Sequence, residues 1–183
     1  MQLRFNVKRT TQAVAELLRA QPAQRMNYMR LLKILYIADR EMLAQHAHPI
    51  TGDQAVAMKR GPVLSQTYDL ILGKTKDALW TKCVKTEHYE VVLLEDPGRG
   101  QLSKDVLDKL QELTLRYQDK DEWEMSEETH AFEEWQRCFP PSNSVFNPIR
   151  WEDALIAQGK QHLIAEVEKD ERASALFDEM CGR

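Results

Sequence analysis

The sequence predicts a mostly α (α+β) protein, a helical domain with a small β-hairpin of winged-helix-like order. Three observations predict it. Apolar residues recur at helical spacing through most of the 183 residues. The clearest β-type run, Val91-Val92-Leu93-Leu94, is short and follows three helical segments. Hydrophobic residues make up 43% and charged residues 30%, a balance suited to one core of domain size.

The first helix spans 7–20, with Val7, Val14, Leu17 and Leu18 on one face and Pro22 beyond its end. Asn27 can cap a second helix running to about Ala47. Arg30, Lys33, Ile37, Arg40, Glu41 and Ala44 form one stripe at ~100° per residue, and the remainder of that helix is apolar, which places it centrally. Asp39 interrupts the apolar face. A carboxylate removed from water needs a fixed partner, either a cation or backbone N–H groups.

His46 to Asp53 read as a loop and Ala55–Met58 as a short strand. Gly61-Pro62 then opens a third helix that stops at Gly73, since proline suits a first turn. Residues 79–95 read as two strands, with a turn near Thr86-Glu87 and a breaker at Asp96-Pro97-Gly98. Ser103 caps a fourth helix carrying Val106, Leu110, Leu113 and Tyr117, and a polar loop follows over 118–124. Ser126 caps a fifth helix with Glu127 and Glu128 in its first turn. Residues 140–144 are an extended loop, and Asn147-Pro148 begins a short helix ended by Gly159. A last helix follows from Lys160, with Leu163, Val167, Leu176, Phe177 and Met180 around a charged centre. The chain divides into a domain over 1–160 and a C-terminal helix over 161–183.

Several functions are disfavoured. No apolar run approaches the ~20 residues of a membrane span, and the N-terminus lacks a secretory stretch, so a cytoplasmic location is expected. Cys83, Cys138 and Cys181 are widely spaced and read as reduced thiols. No phosphate loop, His-Glu-x-x-His or Gly-x-Ser-x-Gly motif occurs. His46, His48 and Asp53 are a weak metal set, and His130 reads as a histidine bonded within the fold. The expectation is no enzyme, no catalytic residues, no metal and no cofactor. Charge is uneven: residues 1–85 carry +8 and residues 86–183 carry −12. Either the halves attract each other or each faces a separate partner.

Three ordered motifs add a resemblance. They are Leu31-Leu32-Lys33-Ile34-Leu35-Tyr36-Ile37-Ala38-Asp39-Arg40, then Pro49-Ile50-Thr51-Gly52-Asp53, then Ala57-Met58-Lys59-Arg60-Gly61-Pro62-Val63-Leu64-Ser65 with Tyr68-Asp69. Met125-Ser126, Thr129-His130, Trp135 and the segment Trp151–Leu155 follow. Together, over roughly residues 10–160, the chain resembles the Panacea domain, also described as the SocA-like antitoxin or phage-associated GepA-like family. The resemblance implies an antitoxin that neutralises a cognate toxin by direct protein binding. It also leaves open a proteolytic adaptor that delivers a toxin to a ClpXP-type protease.

A DNA-binding repressor is the other alternative, given the winged-helix-like order. Nucleic acid is nevertheless disfavoured, because the segment Pro62–Leu72 has no Lys or Arg and contains Asp69. Oligomeric state stays open, with a homodimer the expected form if the chain self-associates. Within the motifs, Asp39, Lys59, Gly61, Pro62, Tyr68, Asp69, Thr129, His130 and Trp135 are expected to be structural. Asp39 is expected to contact Lys59 or the backbone around Gly61. The last helix lies outside the motif set, so Leu163, Val167, Leu176, Phe177 and Met180 are the expected partner-binding residues.

Overall fold

Helix α2 (Tyr28–His46) is the axis on which the rest of the chain packs. The Asn27 side chain accepts the Met29 N–H at 2.8 Å to start it, and Ala47 ends it in a left-handed turn. Leu31, Leu32, Ile34, Leu35, Tyr36 and Ile37 are all buried. They are covered by α1 (Val7–Arg19), α5 (Lys104–Arg116), α6 (Glu122–His130) and α8 (Trp151–Ala157). The charged stripe of α2 is covered too. Arg30 donates to the Tyr117 carbonyl at 2.9 Å, Arg40 pairs with buried Glu134, and Glu41 pairs with Lys109 and Arg116. The basic N-terminal half thus faces later segments in part through charge.

The structure, a computed structural model, describes residues 1, 3–139 and 146–181. Among them are two three-stranded antiparallel sheets. The first has the order β1-β5-β4, with β1 (Arg25–Asn27) preceding α2, and β4 (Val84–Glu87) and β5 (Glu90–Leu93) forming the expected hairpin. Met26 and Thr86 both lie opposite Val91. The hairpin turns at His88-Tyr89, later than expected, with His88 at φ +56°. Trp80 is not in a strand but in α4 (Ala78–Cys83), because the Asp77 side chain accepts the Trp80 N–H and caps a helix there.

The second sheet, β3-β2-β6, joins β2 (Ala55–Met58), β3 (Gly61–Leu64) and β6 (Asn147–Ile149). It corrects two expectations. Gly61-Pro62 and Asn147-Pro148 do not open helices but lie in the sheet's two edge strands, where proline's missing N–H is tolerated. The helices begin later, α3 (Ser65–Ile71) at Ser65 and α8 at Trp151. Similarly, α6 starts at Glu122, because Asp121 and Glu124 form a reciprocal capping box. Ser126 therefore lies inside that helix. α5 begins after Ser103 as expected. α7 (Glu133–Cys138) leads toward the expected loop at 140–144, which lies outside the described residues. After a short 3-10 turn, α9 (Ile164–Cys181) closes the described chain. Cys83 and Cys138 are free thiols. No helix among the described residues is long and apolar enough to cross a membrane.

Candidate functional site

Asp39 occupies the fully buried face of α2 and takes three hydrogen bonds from one loop. Its Oδ1 accepts the N–H groups of Ile50 at 2.7 Å and Thr51 at 2.8 Å, and the Thr51 hydroxyl donates to Oδ2. Burial pushes the carboxyl up to about 6, with the Thr51 and Ile50 donors opposing that rise. Of the two partner types open to Asp39, the fold supplies backbone N–H groups. The expected contact with Lys59 or the Gly61 backbone is not made. The loop at 49–51 folds straight back onto α2 and saturates the carboxylate, while Lys59 sits exposed at the β2–β3 turn. Gly52, at φ +68°, makes this return possible: a Cβ there would lie 2.1 Å from the Arg4 carbonyl oxygen.

The cation beside Gly61 is instead Lys33, which the helical pattern grouped with the charged stripe. It is buried, and its Nζ donates to the Pro62 carbonyl at 2.7 Å. Burial lowers its pKa to about 7. Gly61 has φ +94°, and a Cβ there would lie 2.5 Å from Thr129 Oγ1 and 3.0 Å from Lys33 Nζ. The β2–β3 hairpin can therefore fold over the lysine only with glycine at this point.

Helices α6 and α7 grip the same hairpin from the other side. Ser126 Oγ donates to the Arg60 carbonyl at 2.7 Å, Thr129 Oγ1 to the Ser126 carbonyl at 2.9 Å, and Trp135 Nε1 to the Met58 carbonyl at 3.0 Å. The His130 ring stacks on Trp135 at 4.2 Å. Gly61, Pro62, Thr129, His130 and Trp135 are thus one contiguous group, joined by Lys33 and Ser126. Tyr68 and Asp69 stand apart on α3. Tyr68 stacks on Tyr28 at 6.1 Å, and Asp69 meets Lys74 at 3.5 Å.

Two further buried acids act in the same way. Asp53 accepts the N–H groups of Gln66 and Thr67 at 3.0 and 2.7 Å and the Thr67 hydroxyl at 2.7 Å, fixing the start of α3. Its carboxylate is therefore engaged there rather than turned toward His46 and His48. Glu134 accepts from Tyr36 Oη at 3.0 Å and from Arg40. The chemistry of this constellation is tethering: its hydrogen bonds end on groups of the chain itself. His130 is the exception. It is held by its stack on Trp135, and its buried Nε2 has no hydrogen-bond partner among the described residues, against the expectation of a histidine bonded within the fold.

The groups left for other molecules lie at the surface, and α9 carries one set. Its first half is docked: Val167 is 1% exposed, Leu163 in the 3-10 turn just before it packs against the core, and His48 Nε2 lies 3.6 Å from Asp170. Leu163 and Val167, expected to bind a partner, are committed to the fold. Leu176, Phe177 and Met180 are 61%, 63% and 86% exposed.

A family model described as "Antitoxin SocA-like, Panacea domain" matches residues 31–136. No curated protein and no solved structure matches the chain. The matched span runs from α2 through α7 and contains the tethering group around β2–β3.

Proposed function

We propose that this chain, which belongs to the family of SocA-like antitoxins with a Panacea domain, neutralises a cognate toxin by binding it directly. The observation that carries the proposal is the apolar end of α9. Leu176, Phe177 and Met180 recur at i, i+1 and i+4 on a helix whose first half is anchored and whose second half projects these side chains into solvent. An amphipathic helix presented this way suits insertion into a groove, and methionine adapts to partners of differing shape. Burying such side chains contributes about 1.5–3 kcal/mol each once covered, which favours a protein partner.

On this reading the chain acts in the cytoplasm, as a stoichiometric binder with no catalysis, metal or cofactor of its own. Its toxin is the product of a neighbouring gene, in keeping with a phage-associated pair. Sequence-specific DNA binding receives no support from α3, a seven-residue helix with no Lys or Arg. The adaptor route shares the binding step and adds a protease.

The test is a chain ended after Arg172, compared with the full chain, in cells expressing the neighbouring gene product. The shortened chain keeps Val167 and loses Leu176, Phe177 and Met180. It is expected to fold and to lose both rescue of growth and co-purification. Undiminished rescue by the shortened chain would move the binding surface elsewhere. Loss of the toxin only when a ClpX-type unfoldase is present would favour the adaptor route.

A further inference from the structure

A second surface is built from residues that the tethering network does not use. Five elements converge on it. Tyr28 at the start of α2 lies against both Tyr68 of α3 and Tyr89 of the β4–β5 turn, with ring centroids 6.1 and 6.3 Å apart and ring planes inclined by 29° and 26°. The β2–β3 turn brings Arg60, which acts electrostatically on Tyr28 and lies 4.6 Å above the Trp123 ring of α6. Lys59 stands beside it. Tyr89 is 69% and Trp123 53% exposed, so these rings contribute little to the core.

Arg60 and Lys59 have no carboxylate partner among the described residues, whereas the cations Arg25 and Lys74 do. Arg25 pairs with Glu87 and Glu90, and Lys74 pairs with Asp69. The Trp123 ring fixes the Arg60 guanidinium while leaving its edge donors open, so less side-chain freedom is lost on binding. Tyrosine, tryptophan and arginine clustered at a surface are also the composition of binding hot spots.

We propose that this face docks a short acidic segment of the toxin, a second contact distinct from α9. This rests on the antitoxin reading. The occupant is acidic because the open charges are Arg60 and Lys59. It is a short protein segment and not a nucleic acid because the open cations are two and sit together on one turn, while other charges of the face are already paired, Asp69 with Lys74 and Glu87 and Glu90 with Arg25. A phosphate chain draws its affinity from many cations along its length, whereas one or two carboxylates are matched by Arg60 and Lys59 alone.

The experiment uses the full chain and the purified product of the neighbouring gene, titrated by calorimetry. The variants are Lys59→Glu with Arg60→Glu, Arg60→Lys, and Tyr89→Ala. All sites are exposed, so each variant is expected to melt as the wild type does. The double reversal is expected to weaken binding about tenfold or more, and Tyr89→Ala and Arg60→Lys each severalfold, since lysine keeps the charge but not the stacked guanidinium fork. Wild-type affinity is expected to fall between about 50 and 300 mM salt, and that dependence to shrink in the double reversal.

Binding by the double reversal within about twofold of the wild type would overturn the proposal while leaving the antitoxin reading intact. A double reversal that only splits a self-associated form, with toxin affinity unchanged, would assign the face to a second copy and overturn it as well. Capture of a labelled single-stranded oligonucleotide, lost in the double reversal while toxin affinity holds, would do the same. Failure of the wild type to bind the neighbouring product at all would remove both readings together.

Discussion

Lys33 and Asp39 are two charges buried on one helix, and their opposite proton linkage makes them testable separately. Lys33 holds its proton to about 7 in the fold against an ordinary 10.5. Across that window the unfolded chain binds more protons, so the contribution of Lys33 to stability rises with pH; below about 7 its full penalty is present. Asp39 keeps its proton up to about 6 against an ordinary 3.8, so its contribution falls as pH rises through that interval. Denaturant titrations across both windows should show Lys33→Met flattening the alkaline rise and Asp39→Asn flattening the acidic fall. An unchanged alkaline slope in Lys33→Met would mean that Lys33 is hydrated.

Two other substitutions probe the same network. Asp39→Ala leaves the Ile50 and Thr51 N–H groups and the Thr51 hydroxyl buried and unpaired. At roughly 1–3 kcal/mol per group it should lower stability by about 3 kcal/mol or more, read as a fall in the urea midpoint. Gly61→Ala forces a Cβ against Thr129 and Lys33 at φ +94° and should cost about 2 kcal/mol or more by the same measurement. That Asp39 needs a fixed partner was legible from its place on an apolar helix face. Which partner was not, because periodicity says which face a residue occupies and nothing of what folds over it. The same blindness placed Lys33 on a polar stripe that later helices cover.

At the scale of elements, local signals located helices better than they located starts. Asn27 and Ser103 cap as expected, because an N-cap needs only its own neighbours. Pro62 and Pro148 are equally at home in a helix's first turn and in an edge strand. Their pairing with β2, distant in sequence for Pro148, decides between the two. α9 was legible as a helix, but its division into a docked and a free half was not, since Val167 and Phe177 look alike without the core they do or do not meet. The division has a consequence for truncation. Ending the chain after Arg172 should leave the melting temperature within a few degrees of wild type. Ending it before His162 removes buried Val167 along with Leu163 and Ile164, and should destabilise by about 2 kcal/mol or more. Thermal melts of the two shortened chains distinguish them, and equal melting temperatures would place α9 outside the fold altogether.

For the whole molecule, the matched family and the geometry divide the labour. The recognisable motif residues around β2–β3 are mostly turned inward and hold the fold. The side chains proposed to meet a partner are the exposed apolar end of α9 and the aromatic, cationic face around Arg60. The opposed charges of the two halves of the chain are partly used up within it, in pairs such as Arg40 with Glu134 and Arg19 with Asp96, so net charge alone was a poor guide to partners. The aromatic face escaped the sequence because Tyr28, Tyr68, Tyr89 and Trp123 lie on four separate elements that only the tertiary fold brings together.

The most direct measurement is co-expression of this chain with its neighbouring gene, scoring growth and then co-purifying the two products. Neutralisation by direct binding predicts that the neighbour alone arrests growth, that this chain restores it, and that the two elute together as a stable complex. A neighbour that is harmless, or a rescue in which no complex forms at any salt concentration, would contradict it.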